Sequence, residues 1–448
     1  MHIQPVDDGQ PSSMGPDASV KKAAGSSLCC WYREGSAATS PSPSLQLLIT
    51  AAVSVLAGGF HFGFQMAIMN PMAAVLQHFL MTAFERRYHM PMTESFVRFA
   101  WSALAGSLFI GAAVGAWAGA SLVQWKGAAK GVLSAALLLF FAIALSGFAY
   151  LTTSSELFVL SRLSTGVGIG IGMTAHGVLL TEISPVSHRG LISSFGGFST
   201  NIGFILASFL GLPDILGQAH RWHLAYFIAA APCVLVIGYF CFFAHESPVF
   251  LVRTEQIQAA SRALTAYSPD DSPDHRIAEI RNELHARGTA ATIREILTDV
   301  ASRRALNLSV VLNVTVSFSG IIAMSFFGTF LLKQIGFSER SAAIANCLAS
   351  LAGTAGAITA TLAVDRVGRR LLVIGSLLLL ALINTLMMSF VLIFEATEFL
   401  PAGAGPAAWF IGAELAPTDA RPRIQAASIG AQYLTCFLSP IVYFPLQR

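Results

Sequence analysis

The charged residues best placed to act together lie in two stretches that repeat each other. Glu182 precedes Arg189 by seven residues, and Glu414 precedes Arg421 by the same seven. Opposite charges at matching positions of two similar halves can pair in one conformation and part in another, as in a two-state latch. Neither a nucleophile–base–acid set nor a cysteine–histidine cluster with metal-ligand spacing stands out beside them. The sequence therefore predicts a mechanical role for these charges, with no enzymatic activity, no cofactor and no metal site.

The elements that must position these charges are predicted to be membrane helices. Hydrophobic residues make up 54% of the 448 residues and charged residues only 11%, against roughly 25% charged residues in a typical soluble domain. A soluble fold of this size could not cover its surface with so few charges. The net charge is only +3, and the basic residues are dispersed along the chain without forming a basic stripe. A nucleic-acid partner is therefore not expected. We therefore expect an all-α polytopic membrane protein whose surroundings are the lipid bilayer.

Apolar runs of span length divide the chain into four parts. Residues 1–44 are rich in Gly, Ser, Pro and Asp and are predicted to form a disordered tail. An N-terminal six-helix bundle is expected at 45–243, a polar loop with short amphipathic helices at 244–304, and a C-terminal bundle at 305–448. The runs, about eleven in all, are 45–69, 96–123, 131–151, 157–180, 191–212, 223–243, 305–332, 342–364, 371–394, 399–416 and 423–445.

The long polar stretch 244–304 also predicts the orientation of the chain. It is rich in arginine, and arginine-rich loops stay on the cytoplasmic side of a membrane. Six spans separate it from the N-terminus, so the N-terminal tail is expected in the cytosol as well. The loop near 78–98 carries Arg86, Arg87 and Arg98 on the opposite side and argues against this orientation, but it is shorter. Two similar halves around a cytosolic loop are typical of transporters with a site between the repeats.

Several motifs together resemble one protein family. In order along the chain they are Phe62-Gly63-Phe64-Gln65 with Asn70-Pro71, Arg162, Glu182 to Gly190, Glu246-Ser247-Pro248, Asp365 to Arg370, and Gly405 to Phe410 followed by Glu414 and Arg421-Pro422. They are similar to the motifs of the sugar-porter branch of the major facilitator superfamily, and specifically to the facilitative hexose transporters of animals. The resemblance covers about residues 45–445.

The resemblance implies two six-helix bundles that give alternating access to a central sugar site. It also implies a cytoplasmic latch, formed by Glu182, Arg189, Glu246, Asp365, Arg366, Arg369, Glu414 and Arg421. This chain departs from the family, since Ala128 and Ala129 stand where the family has paired arginines. It also ends after the eleventh run, so we expect a C-terminally short second bundle without the last span.

The sugar-binding positions of the family are mostly changed in this chain. The family's Gln-Gln-Leu-Ser-Gly segment reads Val316 to Gly320 here, without either glutamine. Polar residues inside spans are candidate functional groups, although hydrogen bonding between helices would explain them equally well. The candidates for sugar binding are Gln65, Asn201, Asn313, Ser317, Trp409, Gln432 and Tyr433.

Gln65 bears on the mode of transport. Related proton symporters carry a carboxylate at this position, and a glutamine side chain does not exchange protons at physiological pH. The sequence therefore predicts facilitative uniport of a monosaccharide such as glucose or fructose, in the plasma membrane and without an obligate protein partner. The altered sugar-binding positions leave a second interpretation open, in which the protein is a non-transporting paralogue or a sensor with the transporter fold.

Overall fold

The computed structural model describes residues 43–185, 188–269, 272–287, 297–318, 332, 337–367, 371, 374–379 and 382. Within these ranges every regular element is helical. The α-helices are α1 (Leu45–Ser54), α2 (Gly59–Ala67), α3 (Ala73–Tyr88), α4 (Glu94–Lys126), α5 (Ala128–Thr152), α6 (Ser155–Ile183), α7 (Arg189–Leu210), α8 (Trp222–Phe242), α9 (Pro248–Arg253), α10 (Ile257–Tyr267), α11 (Pro273–Arg287), α12 (Val300–Phe318) and α13 (Glu339–Val367).

Seven stretches in the described part of the chain are long and apolar enough to cross a bilayer. The first, Leu45–Ala67, joins α1 and α2 through a 3₁₀ turn at Val55–Ala57. The others are α5 to α8, most of α4, and Arg340–Thr359 within α13. The all-α membrane fold is thus confirmed. The predicted runs at 399–416 and 423–445 lie outside the described residues, and the count of eleven spans stays a prediction.

Local sequence signals explain where several helices begin. Ser44, Thr93, Ser154 and Ser247 directly precede α1, α4, α6 and α9, and each hydroxyl accepts a hydrogen bond from a backbone N–H in the first turn. Such caps satisfy donors that a helix start leaves unpaired. These short polar residues therefore fix the boundaries of otherwise apolar segments.

Glycines bring α4 and α6 into direct backbone contact. A Cβ atom placed on Gly115 would lie 2.1 Å from the carbonyl oxygen of Val167, and one on Gly170 would lie 2.1 Å from that of Ala112. Membrane helices use small residues in this way because they approach most closely where no side chain intervenes. Arg162, which α6 carries, is therefore held by a tightly packed helix pair.

Two clusters of buried residues form the core of the first half. One gathers aromatic side chains of α3, α6 and α8, including Phe79, Phe158 and Trp222. The other continues from α1, α5 and α6 into α10 and α11, where Leu264 and Ile277 are buried. Helices α9 to α11, which lie in the predicted polar loop, are therefore packed onto the ends of the spans.

Candidate binding site and charged clusters

Gln65 of α2 and Arg162 of α6 are in contact inside the first six spans. Nη1 of Arg162 donates a hydrogen bond of 2.8 Å to Oε1 of Gln65 and one of 3.0 Å to its backbone oxygen. The two residues are 0% and 1% exposed. Among the described residues, no carboxylate lies within ion-pair distance of Arg162. Since a guanidinium stays protonated in proteins, the structure holds a buried positive charge against a neutral amide.

Tyr226 of α8 completes this polar cluster. Phe158, one turn before Arg162, packs its ring against Trp222 and Tyr226, so Tyr226 lies beside the turn of α6 that carries Arg162. Four polar atoms of the cluster are buried without a hydrogen-bond partner, namely Nε and Nη2 of Arg162, Nε2 of Gln65 and the hydroxyl of Tyr226. Sequence patterns did not indicate Tyr226, because its position relative to Arg162 depends on how α6 and α8 pack.

The other described candidates for sugar binding bond to their own helices. The amide nitrogen of Asn201 donates to the Gly197 oxygen over 2.8 Å, and that of Asn313 donates to the Ser309 oxygen over 2.9 Å. The hydroxyl of Ser317 donates to the backbone oxygen of Asn313 over 3.0 Å. All three candidates are buried. The remaining candidates, Trp409, Gln432 and Tyr433, lie outside the described residues, so the sugar-binding set stays a prediction.

Glu246 stabilises the start of α5. Its Oε1 accepts a hydrogen bond of 2.7 Å from the Ala129 amide, and its Oε2 accepts one of 3.2 Å from the Lys130 amide. A carboxylate here satisfies unpaired amides and complements the positive end of the helix dipole. Burial raises the pKa of Glu246, and the backbone hydrogen bonds and the Lys130 charge oppose that rise.

Arg253 of α9 makes the complementary contact at the end of α4. Its Nη2 donates a hydrogen bond of 2.7 Å to the backbone oxygen of Gln124, which lies in the last turn of α4. A cation is favourable at this negative end of a helix. The segment after α8 thus stabilises the α4–α5 turn from both sides, because Glu246 contacts the start of α5 and Arg253 contacts the end of α4.

The first-half members of the predicted latch lie at the ends of neighbouring helices. Glu182 is in the last turn of α6 and accepts a hydrogen bond from the Ser247 hydroxyl, while Arg189 begins α7. Through Ser247, Glu182 is joined to the segment that carries Glu246. The backbone of Asp365 and Arg366 belongs to α13, and Arg369, Glu414 and Arg421 lie outside the described residues. Their pairing across the two halves stays a prediction.

Helices α7 and α13 join the two halves through residues that are distant from Arg189 at the start of α7 and from Asp365 near the end of α13. The hydroxyls of Ser208 and Ser350 are 3.2 Å apart. Nearby, Nε of Arg340 lies 2.9 Å from Oδ2 of Asp214, although both side chains are mostly exposed. Sequence patterns did not indicate this contact between α7 and α13, because serines in apolar runs are common.

Comparison with known proteins decides the family. Residues 50–447 match the family model of the sugar (and other) transporters. The chain belongs to this family. The resemblance found in the motifs is thereby confirmed, and this member of the sugar (and other) transporter family is a transporter, not an enzyme.

Curated relatives of this family member are facilitated glucose transporters. It is 26% identical over 402 residues to facilitated glucose transporter member 1 of Gallus gallus, covering 84% of this chain and 80% of the relative. It is 26% identical over 424 residues to member 3 of Mus musculus, covering 90% and 85%.

Solved structures show the same fold. The proton:xylose symporter XylE bound to 6-bromo-6-deoxy-D-glucose matches with a TM-score of 0.70 at 18% identity, covering 90% of this chain and 89% of that one. The inward-open conformation of XylE from E. coli matches with a TM-score of 0.63 at 18% identity, covering 90% of each chain. This family member therefore has the fold of the major facilitator superfamily.

Proposed function

We propose that the protein carries a monosaccharide such as glucose or fructose down its gradient, by alternating access and without proton coupling. The observation that carries this proposal is the contact between Arg162 and the amide of Gln65. The carboxylate that related proton symporters carry at this position can gain and lose a proton during the cycle, and an amide cannot do so. The names of the curated relatives, which are facilitated glucose transporters, support the substrate class.

Charged residues from both halves of the sequence would form a latch in this cycle. Glu182, Arg189 and Glu246 would act with Asp365, Arg366, Arg369, Glu414 and Arg421 to favour one access state. A single exposed ion pair contributes only about 0–1 kcal/mol, so the latch would depend on several pairs acting together. We place it on the cytosolic side of the plasma membrane, with the N-terminus also in the cytosol.

A second candidate is a non-transporting protein with the transporter fold. The side chains of Asn201, Asn313 and Ser317 favour this candidate, because they bond to their own helices. Val316 and Ser317 also favour it, because they replace the two glutamines of the family's sugar-binding segment. Such a protein would bind sugar weakly or not at all.

Uptake into proteoliposomes separates these functions. The full-length protein should equilibrate labelled glucose or fructose with saturable kinetics, and an imposed pH gradient should not drive accumulation. In Gln65→Asp, a carboxylate would face Arg162, and uptake should become dependent on pH. Gln65→Asn is the matched control, because it shortens the side chain equally without adding a titratable group.

The outcomes distinguish the two candidates. Accumulation of sugar by the wild-type protein against its gradient would overturn uniport. Absence of saturable uptake for any tested sugar, with correctly folded protein in the vesicles, would favour the non-transporting candidate.

A further inference from the structure

Within the part of the chain that the structure describes, no acidic side chain balances the positive charge of the cluster around Arg162. Arg162 is completely buried, and a buried charge without a partner is costly. The nearest acid along α6, Glu156, already accepts hydrogen bonds from Tyr88 and Ser154 and pairs with Arg87. No carboxylate in the described ranges is therefore left to neutralise the guanidinium.

The cluster also has an excess of hydrogen-bond donors. Gln65 uses its amide oxygen on Arg162, which leaves its Nε2 as a donor. Nε and Nη2 of Arg162 and the hydroxyl of Tyr226 are likewise buried without a partner. Buried polar groups in native proteins are almost always satisfied. A water molecule could accept some of these hydrogen bonds, but it would leave the charge unbalanced.

We propose that Arg162, Gln65 and Tyr226 form a binding site for a small monovalent inorganic anion of the chloride type. Such an anion would accept from the unpaired N–H and O–H groups and would neutralise the guanidinium at the same time. The ring contacts of Phe158 with Trp222 and Tyr226 hold Tyr226 beside the turn of α6 that carries Arg162. The exposed fractions of Arg162, Gln65 and Tyr226 are only 0–1%, which leaves no opening for a large organic anion. This inference does not rest on the proposed sugar uniport.

The direct test measures the thermal unfolding of the full-length protein in detergent. Chloride is titrated against gluconate at constant ionic strength, since gluconate is too large for the site. We expect the unfolding midpoint to rise with chloride and then saturate, because an ion that binds only the folded state stabilises it. An equal midpoint in the two salts at every concentration would overturn the proposal.

Two variants separate this site from effects of salt on the surface. Gln65→Asp places a carboxylate beside Arg162, so the chloride response should disappear while the stability in gluconate is kept or raised. Tyr226→Phe removes one donor and should increase the chloride concentration for half-saturation by about tenfold, in line with a hydrogen bond to a charged group. A full chloride response in a folded Gln65→Asp variant would contradict the assignment.

Binding of radioactive chloride to the wild-type protein gives a measurement that needs no variant. Bound label should be displaced by unlabelled chloride or bromide and not by gluconate. No saturable binding would overturn the proposal, and this result would leave the sugar-uptake experiment unaffected.

Discussion

The carboxylate of Glu246 occupies the space that a side chain on Gly127 would need. A Cβ atom at Gly127 would lie 2.4 Å from Cδ of Glu246. Gly127 also has a φ of 97° and a ψ of 163°, a backbone conformation that is essentially restricted to glycine. Position 127 therefore requires glycine for two reasons, the conformation of the α4–α5 turn and the close approach of Glu246, which bonds to the first amides of α5.

Replacing Gly127 with alanine should destabilise the protein. The variant Gly127→Ala combines backbone strain with a steric clash, so we expect the free energy of unfolding to fall by about 2 kcal/mol or more. The midpoint of thermal unfolding in detergent measures this change. The control is Gly238→Ala in α8, where a Cβ atom would meet nothing within 4 Å. An equal midpoint for both variants would show that Glu246 does not closely approach Gly127.

Glu246 should give the stability of the protein a distinct pH dependence. Burial raises its pKa from the ordinary value of 4.5, so the folded state binds the proton more tightly than the unfolded state. The resulting stability is fully present below pH 4.5 and is lost as the pH rises through the folded-state pKa. Relative to Glu246→Gln, the wild-type protein should therefore lose stability as the pH rises through this window.

Thermal unfolding at a series of pH values checks this expectation. The variant Glu283→Gln removes an exposed carboxylate from α11 and should follow the wild-type curve. A constant difference between wild type and Glu246→Gln at every pH, or a difference of opposite sign, would contradict the assigned direction.

The contact between Ser208 and Ser350 predicts a specific cross-link. The variant Ser208→Cys/Ser350→Cys, in a background without the native cysteines, should form a disulfide on mild oxidation, since the two hydroxyls are 3.2 Å apart. If alternating access requires α7 and α13 to separate, oxidation should stop sugar uptake and a reductant should restore it. A gel shift after protease cleavage between the halves measures the bond.

A second cysteine pair controls for random collisions. Thr359 lies nine residues after Ser350 on α13, about 13 Å further along the helix axis. The variant Ser208→Cys/Thr359→Cys should therefore stay unlinked under the same oxidation. Equal cross-linking of both pairs would show that α13 is not held in the observed register.

Tyr267 should stabilise the packing of α10 against the end of α8. Its hydroxyl donates to the His245 oxygen over 2.7 Å and accepts from the His245 amide over 3.1 Å. The variant Tyr267→Phe loses both hydrogen bonds, so its free energy of unfolding should fall by about 1–2 kcal/mol. Thermal unfolding measures this change. Tyr150→Phe is the control, because the hydroxyl of Tyr150 makes a single exposed contact of 3.5 Å. The expectation fails if both variants unfold at the same temperature.

Hydropathy predicted the spans of the first half well, because each is a long apolar segment. The run expected at 131–151 corresponds to α5, and that at 157–180 to α6. Helix α3 was not predicted, because His78, Glu85 and the arginines after it interrupt its apolar residues. Its packing against the aromatic cluster through Phe79 is a tertiary effect that hydropathy does not reveal.

The site was predictable in its residue types but not in its contacts. The motifs singled out Gln65, Arg162 and Glu246, yet their partners lie about 100 residues away along the chain. Periodicity places a residue on a helix face, and it does not determine which face of another helix that residue meets. For the same reason the sequence could not show that the Asn201 amide bonds to its own helix.

Helix α4 is longer than a bilayer requires. Its 33 residues extend about 50 Å, whereas the hydrocarbon core of a membrane is about 30 Å thick. Phe99 and Trp125, near its two ends, are 69% and 76% exposed and lie about 39 Å apart along the axis. This spacing is close to that of the two headgroup regions, where aromatic rings prefer to reside. Because α4 contacts α6 through bare backbone, it cannot readily tilt alone, and lipids of a different length would have to deform around the protein.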